Sequence, residues 1–276
     1  MNRTFRYRPV FYFSLTFALT YALWLVAAFL SQRDETRGIY VFFLLAGLLT
    51  PFIVSLVMIF TSGSPALKRD FLNRLINPAL IRPAVLPALL LIMPCVLLVS
   101  TAISVLFGGS PEQFQLAEGF SFSVGFVPVL LVLLLAAAFE ELGWRGYAFD
   151  SLQSRHNYLT AAIVFAVLWS LWHFPLIFVK DTYQYEVLHQ SVWFGVNFFV
   201  SIIPLGVIVS WICIKNGKSV IAAILFHFIV NISQEILNVT QSTKCIETVV
   251  LALVAIAIVV MDRKLFFSRG RLPTEG

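Results

Sequence analysis

Apolar residues in this chain do not form a helical stripe or an alternating pattern; they come in long unbroken runs. Segments without Asp, Glu, Lys or Arg cover 10–30, 38–67, 83–111, 119–139, 156–179 and 187–214. Crossing about 30 Å of hydrocarbon at about 1.5 Å of rise per residue takes about 20 residues of helix, so each run predicts one membrane span. Two shorter runs, 219–234 and about 245–261, are flanked by residues that can lie at an interface and bring the count to about eight. The expected fold is therefore all-α, a polytopic membrane helix bundle. No Gly/Ser-rich linker divides the chain and no fixed-period repeat appears, which predicts a single integral-membrane domain over 1–276. The first run follows Arg3, Arg6 and Arg8, but it is longer than a signal-peptide core and no A-x-A site follows, so it reads as a span. Pro83, Pro87 and Pro94 are expected to kink or delay the third helix.

Composition agrees with this class. Of 276 residues, 59% are hydrophobic and 12% charged, where soluble domains carry about 25% charged residues. That excludes an ordinary soluble enzyme and a disordered chain. Cys95, Cys213 and Cys245 are too few, and odd in number, for a disulfide framework. A net charge of +5 gives no argument for nucleic acid. The placement of the basic residues is more informative. With eight spans, fifteen of the nineteen Lys and Arg fall on the side of the termini, against Arg33, Arg37, Lys180 and Lys244 opposite. Cytoplasmic loops are enriched in Lys and Arg, so both termini are expected in the cytoplasm, at the plasma membrane of a prokaryote or the endoplasmic reticulum of a eukaryote.

Ionisable groups at membrane depth are costly and mark functional sites. Those expected inside the spans are Glu140, Glu141, His173 and His227, with Asn231 one turn beyond His227 and Arg145 closing the fourth span. Helix rise allows Glu140, His173 and His227 to meet in the inner half of the membrane, in a polar cavity opening toward the cytoplasm. Glu141 and Arg145 are i,i+4 and can pair, while Glu140 is rotated by about 100° and free to act as a base. Such a set supports hydrolysis. Glu140 and His173 can hold a water and take its proton, and His227 and Asn231 can stabilise an oxyanion. Two histidines and a glutamate, here Glu140, His173 and His227, are also a known zinc ligand set, although no H-E-x-x-H motif is present.

The order Glu140-Glu141-x-x-x-Arg145, then Trp169 four residues before His173, then His227-x-x-x-Asn231 resembles the CPBP intramembrane protease family, which includes the type II CAAX prenyl endopeptidases. The resemblance covers about 120–240; Trp169 stands where that family more often has Phe. It implies an endopeptidase that removes the C-terminal tripeptide of a prenylated CAAX protein or peptide, working in the lipid bilayer. In it Glu140 and His173 look like the water-activating pair, His227 and Asn231 like the oxyanion site, and Glu141 and Arg145 like residues that shape the site. No cofactor is expected, with zinc as the alternative. A transporter or a non-catalytic membrane scaffold is the reading from a different class; no inverted repeat supports transport.

Overall fold

The structure, a computed structural model, describes residues 5–36, 38–117, 123–124 and 127–269. Arg3, Arg37 and Arg271 of the charge count, and 119–122 and 125–126 of the fourth predicted span, lie outside the described residues. In chain order the helices are α1 (Pro9–Ser31), α2 (Tyr40–Phe60), α3 (Pro65–Ile76), α4 (Leu86–Leu106), α5 (Val129–Gly143), α6 (Phe149–Gln153), α7 (Tyr158–Trp172), α8 (Tyr183–Gln190), α9 (Val192–Lys215), α10 (Val220–Glu235), α11 (Gln241–Met261) and α12 (Arg263–Phe266). Six of the described helical segments are long and apolar enough to cross a membrane on their own. The two remaining predicted spans correspond to α10 and to α5, which runs on through a π-helical turn, Trp144–Ala148, into α6. Apart from two two-residue strands, Ser123–Val124 paired with Val127–Pro128, regular structure among the described residues is helical. Large apolar side chains such as Phe42, Leu91, Val196 and Leu253 face outward, as a lipid-facing surface requires; the chain is an integral multi-pass membrane protein.

Two predicted boundaries move. The run 38–67 contains a break, because Ser64 accepts from the Leu67 amide at 3.2 Å and Pro65 occupies the first turn of α3. Both are helix-start signals that an apolar count cannot see. The third predicted helix is delayed to Leu86, after a 3-10 turn at Pro83–Val85.

Close helix contact positions the parts that matter for function. A Cβ on Gly143 would lie 2.5 Å from the Pro51 carbonyl carbon, so α5 crosses α2 with their backbones nearly touching. Gly206 does the same for α9 against Ala166 of α7. Pro51 lacks the N–H that would bond the Gly47 carbonyl, and that oxygen instead accepts from Thr20 Oγ1 at 3.3 Å. Thr20 in turn accepts from Trp172 Nε1 at 3.0 Å, which ties α1, α2 and the end of α7 together beside His173.

Candidate active site

Arg145 does not close the fourth span. Helix continues to Gln153, and Arg145 is fully buried within the π-helical turn. A basic residue after an apolar run normally marks the membrane edge, but here two internal partners offset its burial. Nη1 pairs with Glu141 Oε2 at 3.2 Å and the guanidinium stacks 4.2 Å from the Phe165 ring. The other oxygen of Glu141 accepts from His227 Nδ1 at 3.0 Å. Arg145, Glu141 and His227 therefore form a buried chain of contacts that ends on the cavity wall at His227.

The widened turn is itself held from outside. A π turn shifts backbone pairing by one residue and leaves carbonyls in need of donors. Arg74 of α3 supplies them, donating to the Arg145 and Gly146 carbonyls at 3.0 and 3.3 Å. Asp70 and Asp150 pair with Arg74 at 2.8 and 3.0 Å, and Lys218 binds Asp150 at 2.8 Å. Nothing in the local sequence signals this clamp, since Arg74 lies 71 residues from the nearer carbonyl it bonds.

Glu140 points away from Glu141, as the helical offset predicts. Its Oε2 accepts from Trp169 Nε1 at 2.8 Å and Trp144 Nε1 at 3.3 Å. Among the described residues no donor reaches Oε1. The two tryptophans as carboxylate donors escaped sequence reasoning; their i+4 spacing from Glu140 and i−4 spacing from His173 was the available signal. A phenylalanine at 169 could not make this bond.

His173 caps the end of α7, with Nδ1 2.8 Å from the Trp169 carbonyl oxygen. A carbonyl only accepts, so Nδ1 carries the proton and the neutral ring has its lone pair on Nε2. The same reasoning places a proton on Nδ1 of His227, against the Glu141 carboxylate. Trp169 lies between the two rings, with centroids 6.0 Å from His173 and 5.3 Å from His227. Asn231 donates one amide hydrogen to the Leu133 carbonyl at 3.2 Å.

Glu140, His173, His227 and Asn231 line one cavity of about 370 Å³. Glu141 and Arg145 do not reach its wall. His156 and His189 are exposed, as loop-edge residues should be. Glu140, His173 and His227 share the cavity, yet no group of three or more His, Cys, Asp or Glu among the described residues is gathered as a metal-binding set.

The cavity opens on the face opposite the termini, which corrects the expected opening on their side. Tyr183, Gln184, Glu235 and Lys244 form its rim, and all belong to the ends of helices remote from the termini. The reason is depth: His173 is fifteen residues past the start of α7, about 22 Å along it, and so lies beyond the midplane. Glu247 is a further correction, since Glu140 and Glu141 are not the only acids inside the spans. Glu247 falls near the start of the run 245–261, and because α11 already begins at Gln241 it sits in the second turn, buried and bonded to Gln234 at 2.6 Å.

Residues 122–233 match the family described as Type II CAAX prenyl endopeptidase Rce1-like. The chain is also 55% identical over 269 residues to CAAX prenyl protease 2 of Methanococcus maripaludis, covering 98% of this chain and 99% of that protein. It belongs to this family. Glu140, His173, His227 and Asn231 fall within the matched stretch, as do Glu141 and Arg145. The Rce1-like family match also spans the π turn and both indole donors to Glu140, whereas Arg74 and Lys244 lie outside it.

Proposed function

We propose that this protein is a CAAX prenyl endopeptidase that removes the last three residues of a C-terminal CAAX sequence after its cysteine has been prenylated, by hydrolysis in the Glu140 cavity. The observation that carries the reading is the convergence of Glu140, His173, His227 and Asn231, from three helices, on one cavity inside the bundle.

A water between Glu140 Oε1 and His173 Nε2 is polarised from both sides. Glu140 takes its proton as the oxygen attacks the scissile carbonyl, and returns that proton to the departing amine as the tetrahedral intermediate collapses. His227 Nε2 and the second amide hydrogen of Asn231 stabilise the oxyanion. With Nδ1–H committed to Glu141, His227 donates from Nε2 when both ring nitrogens carry protons, and the Glu141 carboxylate supplies the compensating charge. No covalent intermediate is needed. The prenyl chain enters from the bilayer, on the side where Met93 of α4 and Leu133 and Ala136 of α5 line the cavity.

The reaction also bears on orientation. CAAX proteins are made in the cytoplasm, so the face on which the cavity opens, with Tyr183, Gln184, Glu235 and Lys244 at its rim, is the one that must meet them. We therefore assign the rim of Tyr183 and Lys244 to the cytoplasm. The fifteen basic residues on the terminal side favour the second reading, with cytoplasmic termini and substrate arriving from the far leaflet. A reporter fused to the C-terminus decides between them.

The test of function is cleavage of a farnesylated CAAX peptide and its unprenylated twin by purified protein, with metal content measured in the same sample. Release of the tripeptide from the prenylated peptide alone is expected. Equal rates on both peptides would remove the prenyl requirement. Loss of activity on chelation, restored by one equivalent of zinc, would replace the carboxylate-activated water by zinc. Unchanged biological activity in Glu140→Ala would instead favour the scaffold.

A further inference from the structure

The rim of the cavity carries a cation that the hydrolytic steps above do not use. Lys244 lies in the first turn of α11 and is the only Lys or Arg lining the cavity among the described residues. Its ammonium donates to the Gln234 carbonyl at 3.3 Å and sits 4.6 Å from the centre of the Tyr183 ring. It forms no ion pair with a carboxylate among the described residues. Glu247, one turn along, is bonded instead to the Gln234 side chain at 2.6 Å, and Glu235 is exposed on the rim. A ring face and a backbone carbonyl thus fix the position of Lys244 without neutralising it.

Its distance from the chemistry matches the substrate. Gln234, whose carbonyl holds the ammonium, is seven residues beyond His227 on α10, about 10 Å along the helix. Three extended residues also span about 10 Å. Glu140, Glu235 and Glu247 on the cavity wall would repel a carboxylate if ionised, and His227 lies at the scissile end, about 10 Å from the rim. We infer that Lys244 binds the free C-terminal carboxylate of the substrate and so sets the register in which three residues are released. This subsite rests on the CAAX reading above.

The test crosses enzyme and substrate. Wild type, Lys244→Met and Lys244→Arg are each given a farnesylated CAAX peptide with a C-terminal acid and the same peptide as the amide. Wild type is expected to prefer the acid at least tenfold in kcat/KM. Lys244→Met loses that preference by slowing on the acid while cleaving the amide at the wild-type rate, and Lys244→Arg keeps it. Amide cleavage reports that each variant is folded; should Lys244→Met fail there, Lys244→Gln takes its place. A preference that survives in Lys244→Met or Lys244→Gln, or an absent preference in wild type, overturns the subsite while leaving the protease reading intact. If wild type cleaves neither peptide, the CAAX reading itself falls and the subsite with it.

Discussion

Gly143→Ala tests whether the α2–α5 crossing sets the position of the Glu140 carboxylate. The added methyl would lie 2.5 Å from the Pro51 carbonyl carbon, 2.7 Å from Pro51 Cβ and 2.8 Å from the Phe52 nitrogen. Relaxed carbon contacts lie at about 3.5–4.0 Å, so the helices must part by about 1 Å. Two of the three atoms are backbone and the third belongs to a proline ring, so no side chain can rotate away. Overpacking of this kind costs about 1–3 kcal/mol. Glu140 is less than one turn away, and a 1 Å misplacement of a reacting group can cost about 10²-fold in rate. The assay pairs the unfolding midpoint of detergent-solubilised protein with single-turnover cleavage of a farnesylated peptide well below that midpoint, where every molecule is folded. Gly143→Ala is expected to lower both the midpoint and, by about 10²-fold, the rate. Gly38→Ala, which meets nothing within 4 Å, should leave both unchanged. Wild-type values for Gly143→Ala would refute the argument that this contact places Glu140.

Three further substitutions probe the supports around the site. Trp169→Phe keeps an aromatic wall but removes the 2.8 Å bond to Glu140; a bond to a charged group is worth about 1.5–3 kcal/mol, and since Trp144 remains, kcat should fall about tenfold with KM little changed. Arg74→Met leaves Asp150 with Lys218 alone and strips two carbonyls of the π turn of their donor; peptide cleavage should drop and hydrogen exchange at 145–150 should rise, whereas unchanged exchange would show that the turn holds itself. Glu141→Gln breaks a buried pair with Arg145, a change that costs about 3–5 kcal/mol, so thermal unfolding should move down by more than for Trp169→Phe.

Much of the architecture was legible because a membrane span has a length requirement that charge-free runs report directly. The positions of the six long apolar helices and of the shorter α5 and α10 follow from that, as does the gathering of Glu140, His173, His227 and Asn231. What the runs could not report was where helices truly begin and end. Ser64 and Pro65 start a helix inside an apolar run, α11 begins earlier than its apolar core and so holds Glu247 in its second turn, and Arg145 sits mid-helix because Glu141 and Phe165 replace its water. Helix rise alone, without knowing which helices pack together, put the mouth of the cavity on the terminal side. The indole donors to Glu140 and the Arg74 clamp depend on which helices touch, information that no single segment contains.

The central claim is that Glu140 activates the attacking water. Gln at 140 keeps an oxygen for the two indoles but cannot take a proton, so the most direct measurement is single-turnover cleavage of a farnesylated CAAX peptide by Glu140→Gln alongside peptide binding by the same protein. Loss of a general base is expected to cost about 10²–10⁴-fold in rate with binding unchanged. A rate within tenfold of wild type, at equal binding, would contradict the account.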